Sequence, residues 1–81
     1  MLVTVRLFAR LREIAGSPDL RLDLPAGARV EDAWSTLKAR HPDLDAYSAS
    51  ISCAVNEEYA RMHAALTEGD EIAFLPPVSG G

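Results

Sequence analysis

Residues 30–42 read VEDAWSTLKARHP, and the number of long helices decides which fold the chain takes. Val30, Ala33, Trp34 and Leu37 recur at helical spacing and form one apolar stripe, the pattern of a helix laid on a core. Glu31 and Asp32 fall in the first turn, and Lys38, Arg40 and His41 in the last, which suits the helix dipole at both ends. Pro42 stops the helix. One local choice is unfavourable: Arg29 stands where Ser, Thr, Asp or Asn would accept a capping hydrogen bond.

Outward from this helix the spacing changes. Toward the N-terminus, Pro25-Ala26-Gly27 is punctuation. Before it Leu20, Leu22 and Leu24 alternate with Arg21 and Asp23, which predicts a strand. Residues 9–16, ARLREIAG, place Leu11, Ile14 and Ala15 at helical spacing, but for barely two turns, with Gly16 positioned to end them. Residues 3–8, VTVRLF, alternate again, with Val3, Val5 and Leu7 on one face and Thr4, Arg6 and Phe8 on the other. Toward the C-terminus, residues 42–50 read as a polar connector. Residues 51–56, ISCAVN, read as a strand with Ile51, Cys53 and Val55 inward. A turn is expected at NEEY (56–59), a short strand near ARMHAAL (60–66) and a turn at TEGD (67–70). The last strand is EIAFL (71–75), with Ile72 and Phe74 inward and Ala73 and Leu75 outward.

The order is strand, short helix, strand, main helix, then three strands. It predicts an α+β fold, the β-grasp or ubiquitin-like roll: a mixed sheet packed on one main helix, its first and last strands side by side and parallel at the centre. A ferredoxin-like sandwich, the alternative, wants two long helices. The expected organisation is one domain over residues 1–75 and a flexible, extended C-terminal Gly-Gly tail over 76–81.

At 81 residues folding buries only roughly 60–65% of the chain's surface, so a deep private active-site cavity is not expected. The net charge of −4 and pI near 4.9 argue against nucleic acid as partner, because phosphate contacts need clustered Lys and Arg. No run approaches the roughly 18 apolar residues of a membrane span, and the N-terminus lacks a signal peptide's apolar block. The single cysteine, Cys53, has no internal disulfide partner. A cytoplasmic setting follows as the expectation.

Catalytic constellations are missing from the sequence. It has no G-x-G-x-x-G, P-loop or C-x-x-C, and His41 and His63 have no ligand spacing to Cys53, so no metal site is expected. Asp70 and Glu71 read as solvated turn residues, and Cys53 as a buried structural thiol. The informative stretch is the end, FLPPVSGG (74–81). Pro76 and Pro77 lack N–H groups and cannot extend a central strand, so they throw the chain out of the sheet in a polyproline-like path. Val78 supplies an apolar handle and Ser79 a hydrogen-bonding group. Gly80 and Gly81 have no side chains and fit a narrow slot. Such an arm would deliver a bare α-carboxylate to a confined site on another protein.

LFARLREIAG, AVNEEY and LTEGDEIAFLPPVSGG together resemble the MoaD branch of the MoaD/ThiS sulfur-carrier family, over the whole chain. The resemblance implies a chain that is no enzyme by itself. A MoeB-like, E1-type enzyme would use ATP to adenylate the carboxylate of Gly81, and a sulfur donor protein would replace AMP with sulfur to leave a thiocarboxylate. A MoaE-like large synthase subunit would then take up the tail, and sulfur would pass to cyclic pyranopterin monophosphate in molybdenum cofactor biosynthesis. No tightly bound cofactor is implied; ATP belongs to the activating enzyme. Gly81 and Gly80 are the reacting end. The expected partner-binding surface is Phe8, Arg12 and Leu75 with Pro76, Pro77, Val78 and Ser79, and Arg6 stands beside it. Two departures from the family pattern are Arg29, where Thr is usual, and Leu75, where a second Phe is common. Sulfur delivery to cysteine or thiamine synthesis, or a ubiquitin-like modifier joined through Gly81 to lysines, remains the alternative.

Overall fold

A computed structural model of the chain describes residues 1–77. Among the described residues, five strands and two α-helices occur in the order β1 (Leu2–Leu7), α1 (Ala9–Ala15), β2 (Asp19–Asp23), α2 (Val30–Arg40), β3 (Ser52–Val55), β4 (Glu58–Ala60) and β5 (Glu71–Leu75). The sheet order is β2-β1-β5-β3-β4. β1 and β5 are parallel at its centre, and the other neighbours are antiparallel. This is the β-grasp roll that the order of elements predicts.

Strand alternation sends Val3, Val5, Leu7, Leu22, Cys53, Ile72 and Phe74 to one face, where α2 lays Val30, Ala33, Trp34 and Leu37, and all of these are buried. Phe74, fully buried, meets Trp34 with ring centroids 5.0 Å apart in a tilted arrangement. Tilted aromatic pairs keep ring edge and ring face in favourable contact. The Trp34 indole N–H donates to the Ser48 hydroxyl at 3.0 Å, so burial leaves no polar cost there. Leu11 is the fully buried residue of α1, and Ile14 and Ala15 pack half-buried against the core. Gly16 ends α1 at φ 78°, in the left-handed region where a Cβ is penalised.

Two stretches differ from the sequence expectation. Residues 42–47 form a 3-10 helix, Pro42–Tyr47, instead of an irregular connector. Pro42 suits the first helical position, where its missing N–H costs nothing, and Leu44 gains a fully buried site. The second difference lies after β3. Only Asn56 and Glu57 form the turn, both at positive φ (51° and 70°). A two-residue turn with both residues left-handed matches the twist of a hairpin. β4 therefore starts at Glu58, earlier than expected.

The stretch after β4 serves α2 instead of extending the sheet. Val30 N–H donates to the Ala64 carbonyl at 3.0 Å and Glu31 N–H to the Met62 carbonyl at 2.8 Å. Those are two of the donors that a helix start leaves without intrahelical partners. The Asp32 carboxylate accepts from Arg29 N–H at 2.7 Å. The guanidinium has no lone pair to return the bond, so half of a capping box and a neighbouring segment together offset the poor cap at Arg29.

Candidate functional site

The sheet's centre ends where the tail begins. The last parallel pair is Leu7 with Phe74, and on the other side Leu75 pairs with Ser52. Phe8 continues β1's extended path (φ −124°, ψ 151°), so the register carries it beside Leu75. Both stand on the face opposite α2, because side chains alternate along a strand. Phe8 is 38% exposed, and Leu75 and Pro76 are half-buried while Pro77 is exposed. Val78, Ser79, Gly80 and Gly81 lie outside the described residues.

One row across the outer face runs Asp19, Arg6, Ala73, Ala54, Tyr59 through all five strands. Two alanines at its centre keep the face low between Phe8 and Leu75 on one side and Tyr59 at the edge. Tyr59 is 84% exposed. Sequence reading missed Tyr59 because it placed the whole NEEY stretch in a turn. Treating Asn56-Glu57 as a two-residue hairpin turn would have put Tyr59 outward, opposite Ala54.

The basic residues at this site differ in their engagement. Arg6 reaches Glu71 of its own sheet at 3.7 Å, both side chains being largely exposed, so the pair is weak and screened. Arg12 is exposed on α1 and makes no ion pair among the described residues.

Asp70 is more than a solvated turn residue. Its carboxylate accepts from Thr67 N–H at 2.8 Å, Asn56 Nδ2 at 2.9 Å and the Thr67 hydroxyl at 3.1 Å. Asn56 in turn accepts from Glu71 N–H at 3.0 Å. The Thr67 backbone donor, then the Asn56 amide, hold the Asp70 carboxyl below its ordinary range. This clasp ties the β3–β4 turn to the start of β5. Cys53 is buried, with its thiol 3.1 Å from the Ala60 carbonyl; burial pushes it up, away from the thiolate that nucleophilic chemistry needs.

Among the described residues no group of three or more His, Cys, Asp or Glu is placed to hold a metal ion, and no helix is long and apolar enough to cross a membrane. A hollow of about 490 Å³ between α1 and the 3-10 helix is lined by Ile14, Tyr47, Arg10 and Asp43 among others. It holds no acid–base pair in contact.

The family model described as the ThiS family matches residues 5–81. The molybdopterin synthase sulfur carrier subunit of Chlamydomonas reinhardtii is 41% identical, with each chain covered completely. That of Arabidopsis thaliana is 39% identical over 98% of this chain and 82% of its own. Among solved structures, SAMP1 from Haloferax volcanii superposes with a TM-score of 0.86 at 37% identity, covering both chains fully. The central β1–β5 pair, the Pro-Pro exit from it and these full-length likenesses agree: the chain belongs to the ThiS family.

Proposed function

We propose that this chain is the sulfur-carrier subunit of a molybdopterin synthase. The observation that carries the proposal is the placement of β5. It is an interior strand, bonded on both sides, and it ends at Leu75-Pro76-Pro77. The prolines lack the N–H groups that would extend the ladder, so β5 stops at this point. Four residues beyond Pro77 reach at most about 14 Å, enough to thread a terminal Gly80-Gly81 into a narrow slot of another protein. The identity to plant and algal carrier subunits over nearly full length supports the same reading.

In the proposed cycle the carboxylate of Gly81 attacks ATP on an E1-like enzyme, giving an acyl-adenylate and pyrophosphate. Sulfide-level sulfur supplied by a donor attacks the acyl carbon, the carbon–oxygen bond to AMP breaks and AMP leaves, and Gly81 is left as a thiocarboxylate. The charged tail then enters the large synthase subunit, where its sulfur passes to cyclic pyranopterin monophosphate. This chain's own residues position the arm. Phe8 and Leu75 anchor its root, Arg12 rims the patch for partner carboxylates, Pro76 and Pro77 stiffen the exit, and Val78 and Ser79 offer the partner an apolar handle and a hydrogen-bonding group.

Intact mass spectrometry after incubation with ATP, the adenylating enzyme and a sulfur donor tests this. The expected result is exchange of one oxygen for sulfur at Gly81; an unchanged mass overturns it. Adding the large subunit and pyranopterin then assigns the pathway. A second reading, conjugation to lysines of other proteins, is favoured by the likeness to an archaeal protein named as a modifier. It would appear in the same assay as isopeptide-linked products.

A further inference from the structure

The proposed cycle has a hazard. An acyl-adenylate reacts with any accessible primary amine: the acyl carbon–oxygen bond to AMP breaks, a carbon–nitrogen bond forms, and AMP and a proton leave. Such an amide would end the carrier's life. Of the eight basic residues seven are arginine and one is lysine. A guanidinium keeps its proton at any physiological pH and is no acyl acceptor there.

The one lysine, Lys38, is on α2, the helix packed on the sheet. Lys38 lies one helical turn beyond Trp34 on α2, and the Trp34 ring packs 5.0 Å from Phe74 of β5. Its side chain is only 30% exposed, and its Nζ is 3.4 Å from Asp45 Oδ1. Asp45 is itself positioned, accepting from the Ser48 hydroxyl at 3.2 Å, and Ser48 accepts from Trp34. The remaining amine, that of Met1, donates to Asp23 at 3.1 Å and to the Leu24 carbonyl at 2.8 Å. It sits at the opposite end of the parallel β1–β5 pair from Leu75.

We propose that the fold is built to carry an activated terminus without acylating itself. Its positive charge is placed on arginine, and its single lysine is paired with the Asp45 carboxylate. The inference rests on the activation of Gly81 proposed above. It makes the chain selective: activated carbon is left for sulfur, or for amines of other proteins.

Two measurements test it separately. The first needs no enzyme. The intact chain is treated with a small N-hydroxysuccinimide acetate, and acetylation of Lys38 is followed by peptide mass spectrometry. Asp45→Asn should speed acetylation by about threefold, as loss of a half-exposed pair allows; an equal rate in wild type and variant removes the role of Asp45. The second uses the full chain, the adenylating enzyme and ATP without a sulfur donor, with pyrophosphate release as the sign of activation. Wild type should form no product lighter by one water and no linked dimer. Ala49→Lys adds an exposed amine three residues from Ser52, which flanks Leu75, and should give such products. If pyrophosphate is released and Ala49→Lys stays clean, or wild type self-links as readily, the proposal falls. If no pyrophosphate appears, the activation reading falls instead, and the acetylation result still stands or fails by itself.

Discussion

At Phe8 the chain passes from β1 into α1 with no side-chain acceptor at the helix cap, and Ala9 follows at φ 51°. A missing cap acceptor and a left-handed alanine each cost on the order of 1 kcal/mol. Local rules are broken where function constrains the chain, and here they are broken beside Leu75. Phe8→Ala should weaken binding of the large subunit by about 1–3 kcal/mol, the range of an interface anchor, with little change in melting temperature. Phe8→Asp should go further in both directions, raising stability by about 1 kcal/mol through a regained cap while preventing docking. Titration calorimetry and thermal melts on the same samples check both; a large loss of melting temperature in Phe8→Ala would place the ring in the core. Asp70 gives a pH dependence whose sign is set by its hydrogen bonds. Its folded pKa is depressed, so its contribution is full above the unfolded carboxyl's titration, near pH 4, and is lost as pH falls through the lower folded value. Melts between pH 6 and pH 2 should show that loss, and Asp70→Asn should be less stable at pH 6 with a flatter acid limb.

Among the elements, the β3–β4 hairpin is the least economical. Glu57 holds φ 70° without the glycine that such turns favour. Glu57→Gly should stabilise the domain by about 1 kcal/mol, seen as a higher urea midpoint with an unchanged slope. No gain would mean that the carboxylate or the unfolded-state entropy offsets the relief. α2 shows the opposite economy. Its sequence carries a poor cap at Arg29, yet its first donors reach Met62 and Ala64, from a segment about thirty residues later. That repair was not legible beforehand. Stripe, dipole charges and proline stop are local to α2 and readable from it, whereas its cap is supplied by residues that only the roll brings near.

Across the whole molecule, the parallel β1–β5 pair sets the polarity on which the proposed function depends. Parallel neighbours point the same way, so the end of β1, with Phe8, and the end of β5, with Leu75, meet at one edge. Among the described residues the buried core ends at Phe74. Deleting Gly81 should therefore leave the melting temperature unchanged and abolish sulfur loading; activity surviving that deletion would end the sulfur-carrier reading. The same layout explains what was readable of the candidate site. Phe8, Leu75 and the two prolines were recognisable because alternation and proline chemistry act within a few residues. Tyr59 and the Asp70 clasp were not, since each depends on a turn position or a partner set elsewhere.

Sequence alone determined the periods outside β4: which residues face inward on β1, β2, β3, β5 and the two helices, where α1 and α2 stop, and that the chain leaves the sheet at Pro76. These follow from side-chain geometry and from the lost N–H of proline, forces that reach only a few residues. The tertiary structure alone decided the strand register, the start of β4 at Glu58, the 3-10 helix that buries Leu44, and the capping of α2 by Met62 and Ala64. Each of these pairs backbone groups or fills core volume between distant segments, and that competition is resolved only when the sheet closes over α2.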